Sequence, residues 1–217
     1  MLRIILTRHG ETLWNIEGRV QGFLDSPLTE KGKIQARLLG KRLKKEGITK
    51  IYSSDLARAK GTANIIRDEL GLPEILLNEA LRELHFGEWE GKVWWDLRQK
   101  HAELFSIWDT GPHQVQIPGG ETMEEVSERA WNFIQALRKK HTNETICLVT
   151  HGMTLQLVVK RALGIPLAQW ENVPWQHNTA VNIFEFHKDG TIQPILLADH
   201  SHLEEDMQPS GGINKKE

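Results

Sequence analysis

Apolar runs and helical stripes alternate along most of the 217-residue chain. The apolar run at residues 2–6 is typical of a strand buried in a parallel sheet. Further runs bounded by turn residues predict more strands, and the turn at Asp189-Gly190 predicts a late hairpin. Pro194 places the second arm of this hairpin at a sheet edge, because proline cannot donate to a ladder. The predicted strands span residues 2–6, 48–52, 74–77, 145–149, 180–186 and 191–197.

The segments between these strands carry helical periodicity and capping signals. Thr29 is expected to cap a helix over residues 29–46, which Gly47 stops. Asp55 is expected to cap the next helix, whose apolar residues recur at helical spacing. A capping box that starts at Thr122 opens a longer helix. Two more helices are predicted near residues 93–103 and 154–163.

This alternation predicts an α/β fold, a three-layer α/β/α sandwich with a mostly parallel sheet. Residues 85–120 differ in composition from the rest of the chain, since they hold four tryptophans among several glycines and prolines. We expect them to form a small helical lid insertion. We therefore predict a single domain over residues 1–203. Residues 204–217 are polar and rich in Gly and Pro, so we expect a disordered tail there.

Composition excludes several classes of protein. The chain has 27 Lys+Arg and 29 Asp+Glu, a net charge of −2, so no overall basic field attracts nucleic acid or an anionic membrane. No run reaches the roughly 20 apolar residues that a membrane span requires. Cys147 is the single cysteine, which excludes an intramolecular disulfide framework and favours a reducing, cytoplasmic location. Composition does not decide the oligomeric state, and a homodimer is possible.

Cationic side chains follow three of the predicted strands. Arg8 and His9 come directly after the first strand, Arg58 follows the second, and His151 follows the strand at 145–149. Because ligands of such sheets bind outside the carboxyl ends of the strands, we expect these side chains to meet at one edge. Arginine grips phosphoryl oxygens in a bidentate way, and an imidazolium would add charge without bulk. The sequence therefore predicts a pocket for a phosphoryl group.

The same residues carry a family resemblance. Arg8-His9-Gly10 resembles the R-H-G motif of the histidine phosphatase superfamily, which has the phosphoglycerate mutase-like fold. Three further blocks match the superfamily in the expected order, and the likeness covers roughly residues 2–203. The matching segments are 7–15, 53–59, 81–91 and 148–152.

The resemblance implies a catalytic role for each of these residues. His9 would be the nucleophile that attacks phosphorus and forms a phosphohistidine. Arg8, Arg58 and His151 would stabilise charge on the equatorial oxygens. Glu83 would protonate the leaving oxygen and then activate water.

Three amide side chains are weaker candidates for substrate binding. Asn15 and Gln21 would donate to phosphate or substrate, although loop-stabilising amides explain them equally well. Asn178 is a further candidate for the pocket.

Other phosphoryl-transfer chemistries lack their residues in this chain. A cysteine phosphatase needs an Arg six positions after its Cys, and here Met153 stands six positions after Cys147. The chain has no Asp-x-Asp pair for an aspartyl-phosphate site, and no Gly-rich run ends in Gly-Lys-Ser/Thr. We therefore expect neither a metal ion nor a cofactor.

Within the superfamily we predict a broad-specificity phosphatase of small phosphate esters. The cofactor-dependent phosphoglycerate mutases carry a longer insert with an Arg-Arg pair, and residues 93–101 contain no such pair. The lid tryptophans either shape a pocket for apolar leaving groups or only pack the lid. A mutase, and a narrow phosphatase such as an α-ribazole-phosphate or phosphoserine phosphatase, remain alternatives. A non-catalytic phosphate-binding module would be expected to have lost His9 or Glu83.

Overall fold

The computed structural model describes residues 1–204 and residue 207. The predicted tail at 204–217 thus lies almost wholly outside the described residues. The strands are β1 (Leu2–Arg8), β2 (Ile48–Ser53), β3 (Leu76–Leu77), β4 (Glu144–Thr150), β5 (Val181–Phe186) and β6 (Ile192–Asp199). The α-helices are α1 (Leu13–Ile16), α2 (Glu30–Leu43), α3 (Ala57–Leu70), α4 (Trp94–Lys100), α5 (Ala102–Thr110), α6 (Met123–Lys140) and α7 (Gly152–Ala162).

The six strands form one sheet in the order β3-β2-β4-β1-β5-β6. β1, β2, β3 and β4 pair in parallel, and β5 runs antiparallel to both of its neighbours. β6, which contains Pro194, lies at an edge as predicted. The mostly parallel sheet expected from the sequence is confirmed, and the carboxyl ends of β1, β2 and β4 lie at one side of it.

Alternate residues of the central strands pack against different helix layers. Ile4 and Leu148 share an apolar cluster with Ile134 of α6 and residues of α7. Ile5 shares a second cluster with residues of α2 and α3 on the other side of the sheet. All four of these side chains are fully buried, so both faces of the sheet are covered. The three-layer α/β/α architecture is therefore confirmed.

The cap of α3 comes from a different residue than the sequence predicted. Asp55 does not cap this helix, because its carboxylate forms a bidentate ion pair with Arg82. Asp25 supplies the cap instead, accepting hydrogen bonds from the backbone N of Ala57 at 2.7 Å and of Arg58 at 3.3 Å. A carboxylate beside a helix N-terminus is stabilised by the free N–H groups there. The loop that carries Asp25 is thereby fixed to the end of β2.

The lid consists of two short helices rather than the one predicted near 93–103. α4 ends at Lys100 and α5 begins at Ala102. Trp89 stacks on Phe105 with ring centroids 5.1 Å apart, and Trp94 meets the same ring edge-on at 4.9 Å. This aromatic cluster gives the lid an apolar core of its own. No helix within residues 1–204 and residue 207 is long and apolar enough to cross a membrane.

Two glycines let the loop after β1 pack directly on the start of α2. A Cβ at Gly10 would lie 2.4 Å from the carbonyl oxygen of Gly32, and a Cβ at Gly32 would lie 2.1 Å from that of Glu11. Real Cβ atoms do not approach backbone oxygen so closely, and neither neighbour is a flexible side-chain end. This contact fixes the backbone on either side of residues 9–11.

We expect Gly32→Ala to destabilise the fold although Ala favours a helix over Gly. Overpacking of this kind costs about 1–3 kcal/mol, more than the roughly 1 kcal/mol that the better helix propensity contributes. Gly61→Ala in α3 is the matched control, since its Cβ would meet only a leucine methyl at 3.3 Å. Thermal or urea unfolding should show a loss for Gly32→Ala and no loss for Gly61→Ala. Equal stability of the two variants would refute this account of the contact.

Candidate active site

The carboxyl ends of the parallel strands open into a cavity of about 500 Å³. Four of the predicted catalytic residues line it: Arg8, His9, Arg58 and Glu83. His151 does not line the cavity but lies directly behind it, with its ring centroid 5.2 Å from that of His9. The structure thus brings the five residues together, as the motif order predicted.

The tautomer of His9 is fixed by the backbone. Its Nδ1 lies 2.7 Å from the carbonyl oxygen of Gly10, and a carbonyl can only accept, so Nδ1 carries the proton. The Nε2 lone pair is then free in a neutral ring. The carbonyl of His9 in turn accepts from Asn178 Nδ2 at 2.9 Å. His9 is only 2% exposed, so its ring is held in a single environment.

Both arginines are held by backbone carbonyls and buried. Arg58 donates through Nη2 to Gly22 O at 2.7 Å, and through Nη1 to Leu24 O and Asp25 Oδ1, each at 2.8 Å. Arg8 donates through Nη1 to the carbonyl of Gln176 at 3.0 Å. The Nε of each arginine is buried and, within the part of the chain that the structure describes, has no hydrogen-bond acceptor. Two N–H donors are therefore unused in the cavity that both guanidinium groups line.

Burial and mutual repulsion lower the pKa values of this cluster. Burial lowers the pKa of Arg8 to about 10, and the neighbouring Arg58 acts in the same direction. The pKa of His9 is lowered well below 6.5, first by burial and then by the charges of Arg58 and Arg8. Burial and Arg58 also lower the pKa of His151. The lowered pKa values favour neutral rings, so in the free site the arginines rather than an imidazolium carry the positive charge.

Glu83 is held in place by the N-terminus of α7. Its carboxylate accepts from the backbone N of Met153 at 3.2 Å, of Thr154 at 3.1 Å and of Leu84 at 2.9 Å. These bonds connect the acidic block to the helix that follows His151. The carboxylate therefore has a defined position at the wall of the cavity.

Arg129 fixes the backbone that carries Glu83, and the sequence motifs did not reveal it. Its guanidinium donates to the carbonyls of Ala80 at 2.9 Å, Arg82 at 2.8 Å and Glu83 at 2.7 Å. The remaining donors bind the carboxylate of Glu121 at 2.8 and 2.9 Å. A helical Arg next to a capping box resembles a surface cation in sequence, so only the fold shows this contact.

Comparison with known proteins agrees with this geometry. The family model of the histidine phosphatase superfamily (branch 1) matches residues 4–195. The chain belongs to this superfamily. It is 39% identical over 207 residues to phosphoglycerate mutase-like protein 4 of Arabidopsis thaliana, covering 93% of this chain and 87% of that protein. It is 36% identical over 202 residues to the metal-independent phosphoserine phosphatase of Arabidopsis thaliana, covering 92% and 82%. The structure of YhfR from Bacillus stearothermophilus superposes with a TM-score of 0.89 at 39% identity, covering 94% of this chain and all of that one.

The three amide candidates of this histidine phosphatase superfamily chain occupy different places. Asn15 and Gln21 line the cavity. The side-chain oxygen of Asn15 accepts from the backbone N of Thr12, and that of Gln21 accepts from the Thr12 hydroxyl, each at 3.1 Å. Asn178 does not line the cavity, because it lies behind His9 and donates to the carbonyl of His9 and to Asn15 Oδ1. Its position suits the support of His9 better than contact with substrate.

The outer part of the cavity is apolar and aromatic. Trp94 and Trp108 of the lid line it, whereas Trp89 is buried in the lid core and Trp95 is 40% exposed. Two lid tryptophans, Trp94 and Trp108, therefore line the cavity, whereas Trp89 only packs the lid. Trp170, Trp175 and other residues between α7 and β5 complete the wall, and the sequence analysis missed them. The apolar side chains of the wall are Val20, Phe86, Trp94, Trp108, Met153, Trp170, Val173 and Trp175.

Metal-ligating side chains do not cluster at this site. Over residues 1–204 and residue 207, no group of three or more His, Cys, Asp or Glu side chains has the arrangement of a metal site. The buried positive charge that lines the cavity is that of Arg8 and Arg58, and the partly exposed Arg19, which is paired with Glu17, also lines it.

We expect histidine ¹⁵N NMR to show that the imidazoles of His9 and His151 stay neutral at pH 6, where an ordinary histidine with a pKa near 6.5 is mostly protonated. Bound inorganic phosphate should raise the pKa of His151, since negative charge favours the imidazolium. His141, which precedes β4, bonds the Tyr52 hydroxyl and does not line the cavity, is the control and should not respond to phosphate. Protonation of both rings at pH 6 without phosphate would contradict the assignment.

Proposed function

We propose that this chain is a metal-independent phosphomonoesterase that acts on small phosphorylated metabolites through a phosphohistidine intermediate. The observation that carries the proposal is the neutral His9, with Nδ1–H committed to Gly10 O and Nε2 free, in a cavity lined by two buried guanidinium groups. A phosphoryl dianion would supply the acceptor oxygens that the unused arginine N–H groups lack.

In the first chemical step, Nε2 of His9 attacks phosphorus and the bond from phosphorus to the ester oxygen breaks. Glu83 gives its proton to that leaving oxygen, so the alcohol departs neutral. In the second step, water attacks phosphorus, the P–N bond breaks, and the proton of the water passes to Glu83. The hydrogen bonds from α7 and from Arg129 hold Glu83 at the wall of the cavity, which supports this double role.

The charge balance of the site favours the phosphorylated states. Burial lowers the pKa values of both Arg8 and Arg58, and the charge of Arg58 lowers the pKa of Arg8 further. A phosphoryl group with two negative charges offsets this repulsion, and it would also favour protonation of His151. These groups supply the charge stabilisation that a metal ion provides in other phosphoryl-transfer sites. We therefore propose catalysis without a metal ion or a cofactor.

The aromatic lining of the outer cavity favours hydrolysis of varied esters over mutase chemistry. A mutase must grip a second acidic group of its bisphosphate, whereas the wall around Trp94, Trp108 and Trp175 is aromatic, and the third arginine of the cavity, Arg19, is paired with Glu17. The relative named metal-independent phosphoserine phosphatase supports the hydrolase assignment. We propose broad specificity for the leaving group, with a narrow phosphatase or a phosphoglycerate mutase as the alternatives. A reducing, cytoplasmic setting suits the free buried thiol of Cys147.

A panel of phosphate esters, assayed with and without EDTA, tests the proposal. We expect hydrolysis of several esters, no loss with EDTA, and loss of turnover by at least about a thousandfold in His9→Ala, because the nucleophile is then absent. His101→Ala is the control, because the lid residue His101 does not line the cavity.

Inactivation by EDTA would overturn the metal-independent mechanism. Isomerisation of 3-phosphoglycerate faster than hydrolysis of any ester would establish the mutase instead. Hydrolysis of one ester alone would favour the narrow phosphatase.

A further inference from the structure

Gln156 stands out within the apolar outer wall of the cavity. It lies on α7, between Met153 and Leu157 of the lid-side apolar cluster, and it is 1% exposed. Its Nε2 donates to the carbonyl of Val173 at 3.0 Å. Its Oε1 is buried and, within the described part of the chain, receives no hydrogen bond. A buried amide oxygen without a donor is rare in native proteins, so it requires an explanation.

The hydrogen bond to Val173 determines the orientation of the Gln156 amide, with Oε1 as the atom that has no partner. Rotating the amide by 180° would place Oε1 against a carbonyl oxygen and break the bond that Nε2 makes. Oε1 is therefore a fixed acceptor in a residue that lines the cavity, and only an O–H or N–H group can satisfy it. The phosphoryl group cannot serve, because its oxygens carry no such donor when it is fully ionised.

A second unused polar atom belongs to the lid. Nε1 of Trp94 is buried without an acceptor among the residues that the structure describes, and Trp94 lines the same cavity. The ring is held edge-on by Trp89, Phe105 and Trp108 at centroid distances of 6.1, 4.9 and 5.3 Å. The outer wall thus contains one acceptor from α7 and one donor from the lid, surrounded by apolar side chains.

We infer that Gln156 and Trp94 form a specificity subsite for the leaving group, which would be an alcohol with an apolar ring that also carries a hydroxyl. The ring would pack on the aromatic wall, its hydroxyl would donate to Gln156 Oε1, and an oxygen on the ring would accept from Trp94 Nε1. This inference rests on the proposed phosphatase function and narrows its substrate class. A site built to bond a hydroxyl discriminates against analogues that lack it, because its own buried groups then stay unpaired.

Aryl phosphates separate the two contacts. The substrates are phenyl phosphate and its 3- and 4-hydroxy and 3- and 4-methoxy derivatives. Hydroxy and methoxy groups both accept from Trp94, but only the hydroxy group donates to Gln156. We expect kcat/KM for at least one hydroxy ester to exceed that of its methoxy counterpart by about threefold to tenfold, the range of one net hydrogen bond.

Variants then assign the preference to its residue. Gln156→Met should bring the hydroxy-to-methoxy ratio to one, and Gln156→Glu, which keeps an acceptor, should retain a preference. Trp94→Phe should remove any preference of the methoxy ester over phenyl phosphate. Gln99→Met makes the same chemical change at an exposed position of α4 and should keep the wild-type ratio. Because each ratio is measured within one variant, a general loss of activity does not affect it.

A hydroxy-to-methoxy ratio of one in the wild type, or an unchanged preference in Gln156→Met, would overturn the inference while leaving the phosphatase intact. If the wild type hydrolyses none of these esters, the proposed function fails for this class. Dissociation constants from tryptophan fluorescence then test the subsite alone. The same order of affinities would support the subsite, and equal affinities would refute it.

Discussion

The burial of two guanidinium groups in one cavity is the constraint on which the rest of the site depends. Arg58 is 1% exposed and Arg8 is 9% exposed, so neither charge is well solvated. Two like charges in such a place are tolerated only if the protein supplies acceptors and a ligand supplies negative charge. Backbone carbonyls and the carboxylate of Asp25 meet the first need. A phosphoryl dianion would meet the second.

Burial and the same two charges lower the pKa values of the imidazoles. Burial is the first cause at His9, and the charges of Arg58 and Arg8 act in the same direction, so the ring is neutral in the free site and its Nε2 carries no proton. His151 is neutral for the same reasons, and both of its ring nitrogens are buried without a partner in the described residues. A bound anion would therefore favour protonation of His151 as well as accept hydrogen bonds from the arginines. Glu83, whose carboxylate accepts from backbone N–H groups at the start of α7, would handle the proton of the leaving group in the proposed mechanism.

The fold places these groups through backbone contacts more than through side-chain networks. The ends of β1, β2 and β4 deliver them, and the close contact of Gly10 with Gly32 locks the loop beyond His9. Arg129 performs the matching task for Glu83 by binding three carbonyls of its segment. Rigid support of this kind is what a reaction that works by positioning and electrostatics needs.

Much of the fold and of the inner site could be predicted from the sequence, because both follow from local patterns. Apolar runs followed at once by Arg8, His9 and His151 specify strand ends with few alternatives. The rest depends on long-range contacts. Nothing near Ala57 indicates that Asp25 rather than Asp55 caps α3, since the carboxylate arrives from a distant loop.

The pKa shifts of the histidines and the residues that form the outer wall of the cavity could not be predicted from the sequence either. The lowered pKa values of His9 and His151 depend first on burial, which a residue pattern does not give. The contribution of Trp170 and Trp175 to the wall depends on how the segment after α7 folds back over the cavity. Gln156 lies on a helix face that, in sequence, is indistinguishable from core.

The central claim is that a neutral His9 takes the phosphoryl group on Nε2. Rapid mixing with a hydrolysed ester, a quench in alkaline denaturant that preserves phosphohistidine, and mass spectrometry of the digested chain test it directly. The account predicts one phosphoryl group per chain, bound to Nε2 of His9 and formed within the first turnover. A phosphoryl group on Nδ1 or on another residue, or turnover without any phosphorylated protein, would contradict it.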